Sequence, residues 1–479
     1  MTELNLGRPG AANPDPDTDG LPETGLAAPG PTVSQLLDEA PTSRFHRRAV
    51  LISGMGFFTD AYDLFVIGTV AALVQAQWHL STAETSWVAG SAILAAFIGA
   101  LVFGRIADVL GRKTVYTAVA AIMIVGALAS SFATGPIFLI AARFVLGLGI
   151  GGDYPVSAVL MSEYANRDDR GKLVGLVFSM QALGLIIGPL AALILVSSGL
   201  ADSTTWRILL GLGAVPAAAV VYMRSKMPES PRFVAMVKGR AAEAAEQLHH
   251  FAAGAVDTTG AVDGGTRTMT LGEFLRNKRM LKLVLGTAGT WFLFDYAYYG
   301  NTLSLPSILK EVAPHATMQS KLVWTLGIFV VFALPGYLLV VAKMDRIGHK
   351  RLQYIGFAVM AVCFGALGIF SNLTTSVLPF LAIFGLSYFF VEFGPNTTTF
   401  VMPSEVFPVS MRTTGHGLAA GIGKLGAFIG VFMVPAWQAG LGLGGMLLVA
   451  AGAAVLGFLL TAILPEPARR SLEELSGEG

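Results

Sequence analysis

Apolar and polar stretches alternate along most of this chain. From Arg47 onward, apolar runs of about 18–26 residues are separated by short polar breaks. A helix of that length spans a bilayer core of roughly 30 Å, because each residue adds about 1.5 Å. The pattern predicts an all-α integral membrane protein. Its twelve transmembrane helices, numbered 1 to 12, are placed at residues 49–74, 86–107, 114–133, 136–161, 171–196, 206–223, 281–305, 322–342, 352–371, 377–401, 413–435 and 440–464.

The chain before the first apolar run has a different character. Residues 1–44 are rich in Gly, Pro, Asp and Thr, which predicts a disordered tail rather than a signal peptide. The apolar runs predict a six-helix bundle at 45–223, a central loop at 224–280, a second six-helix bundle at 281–464 and a tail at 465–479. Within the loop, residues 240–252 have the pattern of an amphipathic surface helix.

Basic residues are distributed unevenly between the two sides of the predicted membrane. Roughly 27 of the 32 Lys and Arg residues lie on the side of the even-numbered loops and the termini, and the loops after helices 1, 3, 9 and 11 have none. The positive-inside rule makes this side cytoplasmic, so both termini are predicted to be cytoplasmic. We expect a multi-pass protein of a bacterial-type plasma membrane.

Composition supports the membrane assignment and narrows the function. Hydrophobic residues make up 54% of the chain and charged residues only 13%, where a soluble protein has roughly a quarter charged. The single cysteine, Cys363, excludes an internal disulfide, and no Cys/His cluster suggests a metal or another cofactor. A net charge of +1 without a basic patch gives no sign of nucleic acid binding. The expected partners are the lipid bilayer and small solutes, and the chain is expected to work as a monomer.

Two signatures recur in the same order in both predicted bundles. The loop after helix 2 reads GRIADVLGRK and contains Asp108 and Arg112, and DRIGHK begins at Asp345, 237 residues after Asp108. The sequence Ser-Glu at Glu163 stands seven residues before Arg170, and Ser-Glu at Glu405 stands seven before Arg412. A duplicated six-helix unit explains both repeats. Their charges predict a cytoplasmic gate that closes by ion pairing between Asp108, Arg112, Glu163, Arg170, Asp345, Arg346, Glu405 and Arg412.

Seven ionisable residues fall inside predicted helices, where each costs several kcal/mol. They are Asp60, Asp63, Arg143, Asp153, Asp295, Glu392 and Lys424. Each could be a functional group or one partner of a buried ion pair that fastens helices together. Asp63 and Arg143 lie at similar depth and are predicted to pair. Asp60 and Asp153 lie deeper; if they are close together they cannot both stay ionised, so one is expected to bind a proton.

Polar groups that could bind a substrate also lie near the middle of the predicted membrane. Trp291, Asp295 and Tyr299 are four residues apart and share one face of helix 7. Further mid-membrane groups are Tyr154, Gln181, Asn396 and Lys424. A site rich in donors and with one cation suits an oxyanion, although a sugar site could use many of the same groups.

These motifs resemble those of the major facilitator superfamily over residues 45 to 470, which is nearly the whole chain. The resemblance rests on the repeated GxxxDxxGRK-type loops, on Arg143-x-x-x-Gly147-x-Gly149, and on the segment PESPR from Pro228 to Arg232. The last segment is similar to the sugar-porter-related branch. This resemblance implies the major facilitator fold, in which two pseudo-symmetric six-helix bundles enclose a central site.

Three longer segments resemble the phosphate:proton symporter family within that superfamily. They are GMGFFTDAYDLF from Gly54, GGDYPVSA from Gly151 and GPNTTTF from Gly394. The resemblance implies that the phosphate ligands are Tyr154, Gln181, Trp291, Asp295, Tyr299 and Asn396, with Lys424 as a functional lysine. It also implies that protons are handled by Asp60, Asp63 and Asp153, to which the predicted partner Arg143 is added.

The sequence thus predicts a proton-coupled transporter that imports inorganic phosphate by alternating access. Asp295 in an anion site favours phosphate over sulfate, because only phosphate brings an O–H that can donate to the carboxylate. One alternative is a proton-coupled transporter of a sugar or an organic acid. Another is a membrane phosphate receptor without net transport. An enzyme is not expected, since no Ser-His-Asp set or phosphate-cradling Gly-rich loop is visible.

Overall fold

The computed structural model describes residues 30–252, 255–259, 262 and 268–477. Ten helical stretches among them are long and apolar enough to cross a membrane. The longest stretch, Arg412–Ile463, contains Gly442 at φ 69° and ψ 175°, which separates two helices. Lys278–Leu303 is not among the ten, because the polar residues on its inner face lower its mean hydropathy, but its 26 residues are long enough to cross a membrane. Within the described residues the count is therefore twelve, which agrees with the predicted fold class.

The twelve helices are numbered in chain order and correspond to predicted helices 1 to 12. They are α1 (Arg44–Trp78), α2 (Thr82–Leu110), α3 (Arg112–Ser131), α4 (Pro136–Tyr164), α5 (Arg170–Ser197), α6 (Asp202–Lys226), α7 (Lys278–Leu303), α8 (Met318–Ile347), α9 (His349–Ile369), α10 (Val377–Val406), α11 (412–441) and α12 (443–460). Several are longer than predicted at their polar ends, because hydrophobicity marks the membrane core and not the end of the helix.

Short helices lie outside the membrane-spanning set. They are Val33–Glu39, Pro231–Met236, Ala241–Phe251, Leu271–Arg276, Leu305–Val312 and Leu472–Ser476. Ala241–Phe251 confirms the predicted amphipathic helix of the central loop. The prediction of disorder is wrong for the end of the N-terminal tail, since Thr32 and Gln35 form a capping box that starts Val33–Glu39. The rest of that prediction, residues 1–29, lies outside the described residues.

In four membrane helices an irregularity of the backbone lies beside a polar side chain of the core. α5 is interrupted at Met180, next to Gln181, and α10 is interrupted at Gly394, two residues before Asn396. Pro155 follows Tyr154 inside α4, and α8 has a π-helical turn at Phe329–Ala333, shortly before Tyr337. Proline, glycine and π-turns interrupt the regular backbone hydrogen bonding of a helix and are common at functional sites. The four irregularities mark the level of the candidate site.

Glycines allow pairs of helices to pack backbone against backbone in both bundles. A Cβ atom on Gly147 of α4 would lie 2.1 Å from the carbonyl oxygen of Ala92 on α2. A Cβ atom on Gly430 of α11 would lie 2.2 Å from the carbonyl oxygen of Tyr296 on α7. Small residues are what membrane helices use for close approach, since lipid gives apolar side chains no reason to prefer each other. These contacts hold the helices that carry the candidate site.

The outward faces of the helices are apolar. Val331 on α8, Val362 on α9 and Leu378 on α10 are 62%, 70% and 78% exposed. Exposed apolar side chains along membrane-length helices are the surface that bilayer hydrocarbon covers. The chain is therefore a multi-pass membrane protein.

Gly147→Val and Gly430→Val are expected to destabilise the fold, because the added side chains have no space against a backbone carbonyl. Overpacking of this kind costs about 1–3 kcal/mol or more. The thermal unfolding midpoint of detergent-purified protein should fall by several degrees. Gly452→Val in α12 is the matched control, since nothing lies within 4 Å of its Cβ position. Equal midpoints for all three variants would contradict this packing.

Candidate functional site

Three polar side chains of the first bundle form a hydrogen-bonded row at the centre of the molecule. The hydroxyl of Tyr154 on α4 donates to Oδ2 of Asp60 on α1 over 2.5 Å. Nε2 of Gln181 on α5 donates to the Tyr154 oxygen over 3.0 Å. All three residues are buried, with at most 3% of their surface exposed. Oδ1 of Asp60 has no hydrogen-bond partner among the described residues, so this carboxyl group keeps acceptor capacity.

The row continues into the second bundle without a break. The hydroxyl of Tyr337 on α8 donates to Oε1 of Gln181 over 3.4 Å, and Nδ2 of Asn396 on α10 donates to the Tyr337 oxygen over 2.9 Å. Asn396 also donates to Oε2 of Glu392 over 2.5 Å. The other oxygen of Glu392 accepts from Tyr298 on α7 over 3.0 Å. A continuous chain of hydrogen bonds therefore joins a carboxyl group of one bundle to a carboxyl group of the other.

The ammonium group of Lys424 on α11 lies beside this row. Its Nζ donates to Oδ2 of Asp295 over 3.2 Å and to the hydroxyl of Tyr299 over 3.0 Å, both on α7. Nζ also lies 4.5 Å from the ring centre of Tyr154 and 4.3 Å from that of Tyr299. The ring centre of Trp291 is 6.1 Å from that of Tyr154. The structure thus brings together all seven residues that were predicted to bind substrate.

One predicted ion pair of the first bundle is present. Nη1 and Nη2 of Arg143 donate to the two carboxylate oxygens of Asp63 over 3.1 and 3.0 Å. Nε of Arg143 donates to the carbonyl oxygen of Val88 on α2 over 3.2 Å. Both charged groups are buried, so this bidentate pair neutralises two ionised groups that would each be costly alone.

The structure corrects the predicted environment of Asp153. We expected that, if Asp60 and Asp153 lay close together, one of them would bind a proton, but Asp153 instead accepts from both Nη atoms of Arg224 on α6, over 2.6 and 3.0 Å. The Arg224 guanidinium also lies 4.2 Å from the ring centre of Tyr116. The prediction ended helix 6 at residue 223 and left this arginine in the loop, whereas α6 continues to Lys226. Asp153 therefore has its own counter-ion, and Asp60 has no salt-bridge partner among the described residues.

One face of the molecule carries the even-numbered loops, together with the central and C-terminal segments, and we call it the basic face. On the opposite face a cavity of about 380 Å³ lies between the bundles. It is lined by residues of both bundles, including Ile67 on α1, Ala89 on α2 and Val431 on α11, with Leu303 at the end of α7. Ile67 and Leu303 are each four residues, or about 6 Å, beyond Asp63 and Tyr299. The cavity therefore approaches the candidate site from the face opposite the basic one.

The basic face is closed by ion pairs that cross between the bundles. Glu163 at the end of α4 accepts from Arg112 of its own bundle over 3.2 Å and from Arg412 of the other over 3.3 Å. Arg112 also pairs with Asp108 over 3.1 Å and donates to the carbonyl oxygen of Val409 over 2.7 Å. Asp108 in turn accepts from the backbone and hydroxyl groups of Thr414. All these charged groups are buried, as expected of a closed gate.

The equivalent loop of the second bundle differs from this arrangement. Asp345 accepts from the backbone nitrogen of Lys172 over 2.8 Å and so also bridges the bundles. Arg346 is exposed and lines a separate cavity of about 490 Å³ on the basic face. The buried His349 takes the place that corresponds to Arg112, and its Nε2 lies 3.7 Å from Glu405. Among the described residues, Arg346 thus makes no ion pair that would support its predicted role in the gate.

The repeat between the two bundles also includes the carboxylates that cap the N-termini of α3 and α9. Glu229 accepts from the backbone nitrogens of Arg112 and Lys113 at the start of α3. Glu466 accepts in the same way from His349 and Lys350 at the start of α9, over 2.9 and 3.1 Å. A carboxylate is favourable at a helix N-terminus, where unpaired backbone N–H groups point outward. The two caps extend the structural duplication beyond the loops noticed in the sequence.

Terminal segments are tied to the basic face by a second group of charges. Arg170 donates to Asp38 over 2.9 Å, and Arg232 contacts Asp38 over 2.6 Å and Glu473 over 2.5 Å. Burial alone would raise the pKa of Glu473, but the charges of Arg232 and Arg412 lower it to about 2. The pKa of Glu473 is thus lower in the folded protein than the value of about 4.5 expected for the unfolded chain. The contact stabilises the fold fully above about pH 4.5, and this stabilisation is lost as the pH falls toward 2. It therefore does not respond to pH near neutrality.

The profile of a family described as sugar (and other) transporter matches residues 49–478. The chain belongs to this family. Proteins of similar sequence include the probable inorganic phosphate transporter 1-6 of Arabidopsis thaliana, which is 35% identical over 93% of this chain and 96% of its own length. The putative inorganic phosphate transporter 1-13 of Oryza sativa subsp. japonica is 38% identical over 93% of this chain and 94% of its own length.

Solved structures confirm the major facilitator fold of this transporter. The proton:xylose symporter XylE bound to 6-bromo-6-deoxy-D-glucose superposes with a TM-score of 0.78, at 20% identity, over 91% of this chain and all of that chain. An inward-open structure of XylE from E. coli gives 0.65, at 19% identity, over 90% of this chain and 99% of that chain.

Sequence reasoning missed several polar residues of the transporter's core. Tyr337 lies just after the Pro-Gly break in α8, and that break was the available signal. Tyr298 shares α7 with the predicted stripe but lies on a neighbouring face. His349 could have been found by adding the 237-residue offset to Arg112. Glu392 was recognised as an intramembrane acid but received no role, because its partners come from helices distant in sequence.

Glu163→Gln is expected to open the basic face, since it removes the charge that Arg112 and Arg412 share across the bundles. Removing one partner of a buried ion pair costs about 3–5 kcal/mol, so the open population should rise at least about tenfold. The variant Cys363→Ser removes the only native cysteine. In that background Ser404→Cys places a thiol at a buried position where the two bundles meet. Its rate of labelling by a maleimide then reports how often the basic face opens.

Glu243→Gln is the control for this measurement. Glu243 pairs with Arg240 over 2.7 Å on the same face, but both side chains are exposed and neither contacts the other bundle. Labelling should stay at the wild-type rate in this control. If Glu163→Gln also labels at the wild-type rate, these charges do not hold the gate closed.

Proposed function

We propose that this transporter imports inorganic phosphate together with protons by alternating access. The chain is similar over most of its length to proteins named inorganic phosphate transporters, which supports the cargo. The residues gathered at the centre support it independently, because they supply a cation and several neutral donors of the kind that bind oxyanions. We assign the substrate to the seven residues around Lys424 and Tyr154 described above.

The observation that carries proton coupling is the charge balance of this site. Lys424 is paired with Asp295, whereas Asp60 accepts from the hydroxyl of Tyr154 and has no salt bridge of its own among the described residues. With both acids ionised the site already carries one net negative charge before an anion arrives. A further negative charge in a low dielectric is costly unless a proton enters with it. Asp60 is the group we propose to take that proton.

The other predicted proton-handling residues receive supporting roles in this proposal. Asp63 with Arg143, and Asp153 with Arg224, form buried bidentate pairs that stay neutral as units. They hold α1, α4 and α6 in place around Asp60. Their protonation would leave an arginine unpaired, which costs more than protonating a carboxyl group that has no cation partner.

Asp295 is the residue that we propose distinguishes phosphate from sulfate. Its Oδ2 is bound to Lys424, and its Oδ1 is without a partner that meets hydrogen-bond geometry among the described residues. A protonated phosphate can donate an O–H to such an oxygen. Sulfate at neutral pH has no proton to donate and would meet the carboxylate with repulsion alone.

The direction of the proposed transport cycle follows from the face on which a cavity lies between the bundles. Phosphate and a proton enter through the cavity opposite the basic face, and loading allows the bundles to rock and break the ion pairs at Glu163. We place the basic face in the cytoplasm of a cell whose plasma membrane holds the protein, because it carries most of the Lys and Arg residues. A bound proton also offsets the cost of moving an anion against a negative-inside potential, about 2.3 kcal/mol per charge per 100 mV.

A second candidate is a proton-coupled sugar transporter. The structural similarity to the proton:xylose symporter XylE favours it, although at 20% identity this similarity concerns the fold. A neutral sugar would make little use of the buried Lys424 and its carboxylate partner. Competition of labelled phosphate uptake by xylose, an organic acid, arsenate and sulfate separates these cargoes. Net uptake into liposomes also excludes a receptor that binds phosphate without moving it.

Asp60→Asn is expected to abolish pH-gradient-driven accumulation of phosphate in proteoliposomes, because it removes the carboxyl group that we assign to the proton. Exchange of internal for external phosphate at equal pH should persist, since it requires no net proton movement. Asp202→Asn, an exposed acid on the opposite face, is the control and should accumulate phosphate normally. Wild-type uptake that ignores the pH gradient would contradict the proposal.

Asp295→Asn is expected to reduce the preference for phosphate over sulfate at least tenfold in uptake competition, because the variant removes both the acceptor for the phosphate O–H and the charge that repels sulfate. A tenfold change corresponds to about 1.4 kcal/mol, close to the lower end of the roughly 1.5–3 kcal/mol that a hydrogen bond to a charged group contributes. A preference unchanged from wild type would show that Asp295 does not select the anion.

A further inference from the structure

Acids outnumber bases in the central layer of the transporter. Between the gate and the opposite cavity, the described helices bury five carboxyl groups and three Lys or Arg side chains, which are Asp60, Asp63, Asp153, Asp295, Glu392, Arg143, Arg224 and Lys424. The three bases each bind one acid. Two carboxyl groups remain without a salt bridge among the described residues. One is Asp60 in the first bundle, and the other is Glu392 in the second.

Glu392 is surrounded by neutral groups. Its oxygens accept from the hydroxyl of Tyr298 and from the amide of Asn396. The hydroxyl of Tyr337 also lies close to Glu392, but its single O–H is donated to Gln181. The titratable groups that face it from α7, α8 and its own helix are Tyr298, Tyr337 and Tyr388. No charged side chain of the described chain acts on it. The residue is fully buried, so an ionised Glu392 would be stabilised by neutral donors alone.

Glu392 is connected to the candidate phosphate site through Asn396. An asparagine amide has two N–H groups, and in Asn396 the amide nitrogen donates to both Tyr337 and Glu392. If Asn396 binds phosphate, it must withdraw a donor from one of these partners. Loss of the amide from Glu392 makes its ionised form less stable, so phosphate binding favours protonation of Glu392. By linkage, protonation of Glu392 frees the amide and favours phosphate binding.

We propose that Glu392 is a second proton-binding residue of the transport cycle, which gains a proton when Asn396 turns its amide to phosphate and loses it when phosphate leaves. This inference rests on the proposed function. It assigns one proton site to each bundle, with Asp60 and Glu392 at the two ends of one hydrogen-bond chain. The chain crosses from Gln181 to Tyr337, so both protons are bound where the bundles meet.

Counting the protons that move with each phosphate tests this role. Proteoliposomes at a fixed membrane potential are given opposed gradients of phosphate and pH, and the pH gradient that stops net phosphate flux gives the number of protons per phosphate. Glu392→Gln keeps the size and hydrogen bonding of the side chain but cannot take up a proton, so this number should fall by one. Glu392→Asp keeps an acid and should retain the wild-type number.

The outcomes separate the two proposals. A wild-type protein that does not accumulate phosphate contradicts the proposed function itself. A wild type that couples phosphate to protons, with the same number of protons in Glu392→Gln, overturns the role of Glu392 alone. The pH dependence of phosphate affinity gives a second readout of the same number, because its slope should also fall by one in Glu392→Gln.

Tyr298→Phe tests the role without removing the carboxyl group, in case Glu392→Gln does not fold. Loss of the Tyr298 donor should make ionised Glu392 less stable and move the pH of half-maximal transport upward by about one unit. Tyr388→Phe is the matched control, since the Tyr388 hydroxyl pairs with Thr302 and not with Glu392. Unshifted profiles in both variants would contradict a titrating Glu392.

Discussion

An ionised carboxylate without a counter-ion is costly in the core of this transporter, and much of the core is arranged around that cost. Two acids are matched by arginines in bidentate pairs, and a third is matched by Lys424. Asp60 and Glu392 form no salt bridge among the described residues and accept hydrogen bonds from neutral donors. Because neither acid has a counter-ion of its own, we propose that their charge is set by proton binding. In this proposal an arriving anion changes the proton balance of the site as well as its occupancy.

The same arrangement couples the site to the movement of the two bundles. The hydrogen-bond row from Asp60 to Glu392 crosses the seam at the level of the candidate site, between Gln181 and Tyr337. On the basic face the seam is closed by Glu163 and its two arginines. We propose that the first set of contacts depends on protons and substrate, whereas the second set consists of buried ion pairs. Loading the centre can thus alter the balance between the closed and open states of the basic face.

The sequence predicted the fold and most of the site, for identifiable reasons. Hydrophobic runs give the number of membrane helices, and the duplicated loops give the two bundles. The pair of Asp63 and Arg143 followed from their similar depth in adjacent helices. Arg224 was missed because a charged residue at the end of an apolar run looks like the start of a loop. The roles of Tyr337 and Glu392 depend on contacts between distant helices, which no spacing along the chain reveals.

Proton uptake on phosphate binding to the purified protein tests the central claim most directly. Titration calorimetry in several buffers of different ionisation enthalpy, at one pH near neutrality, gives the number of protons taken up as phosphate binds. After correction for the ionisation of phosphate itself, the account predicts a clear net uptake that Asp60→Asn and Glu392→Gln each reduce. Phosphate binding with no net uptake of protons would contradict the account.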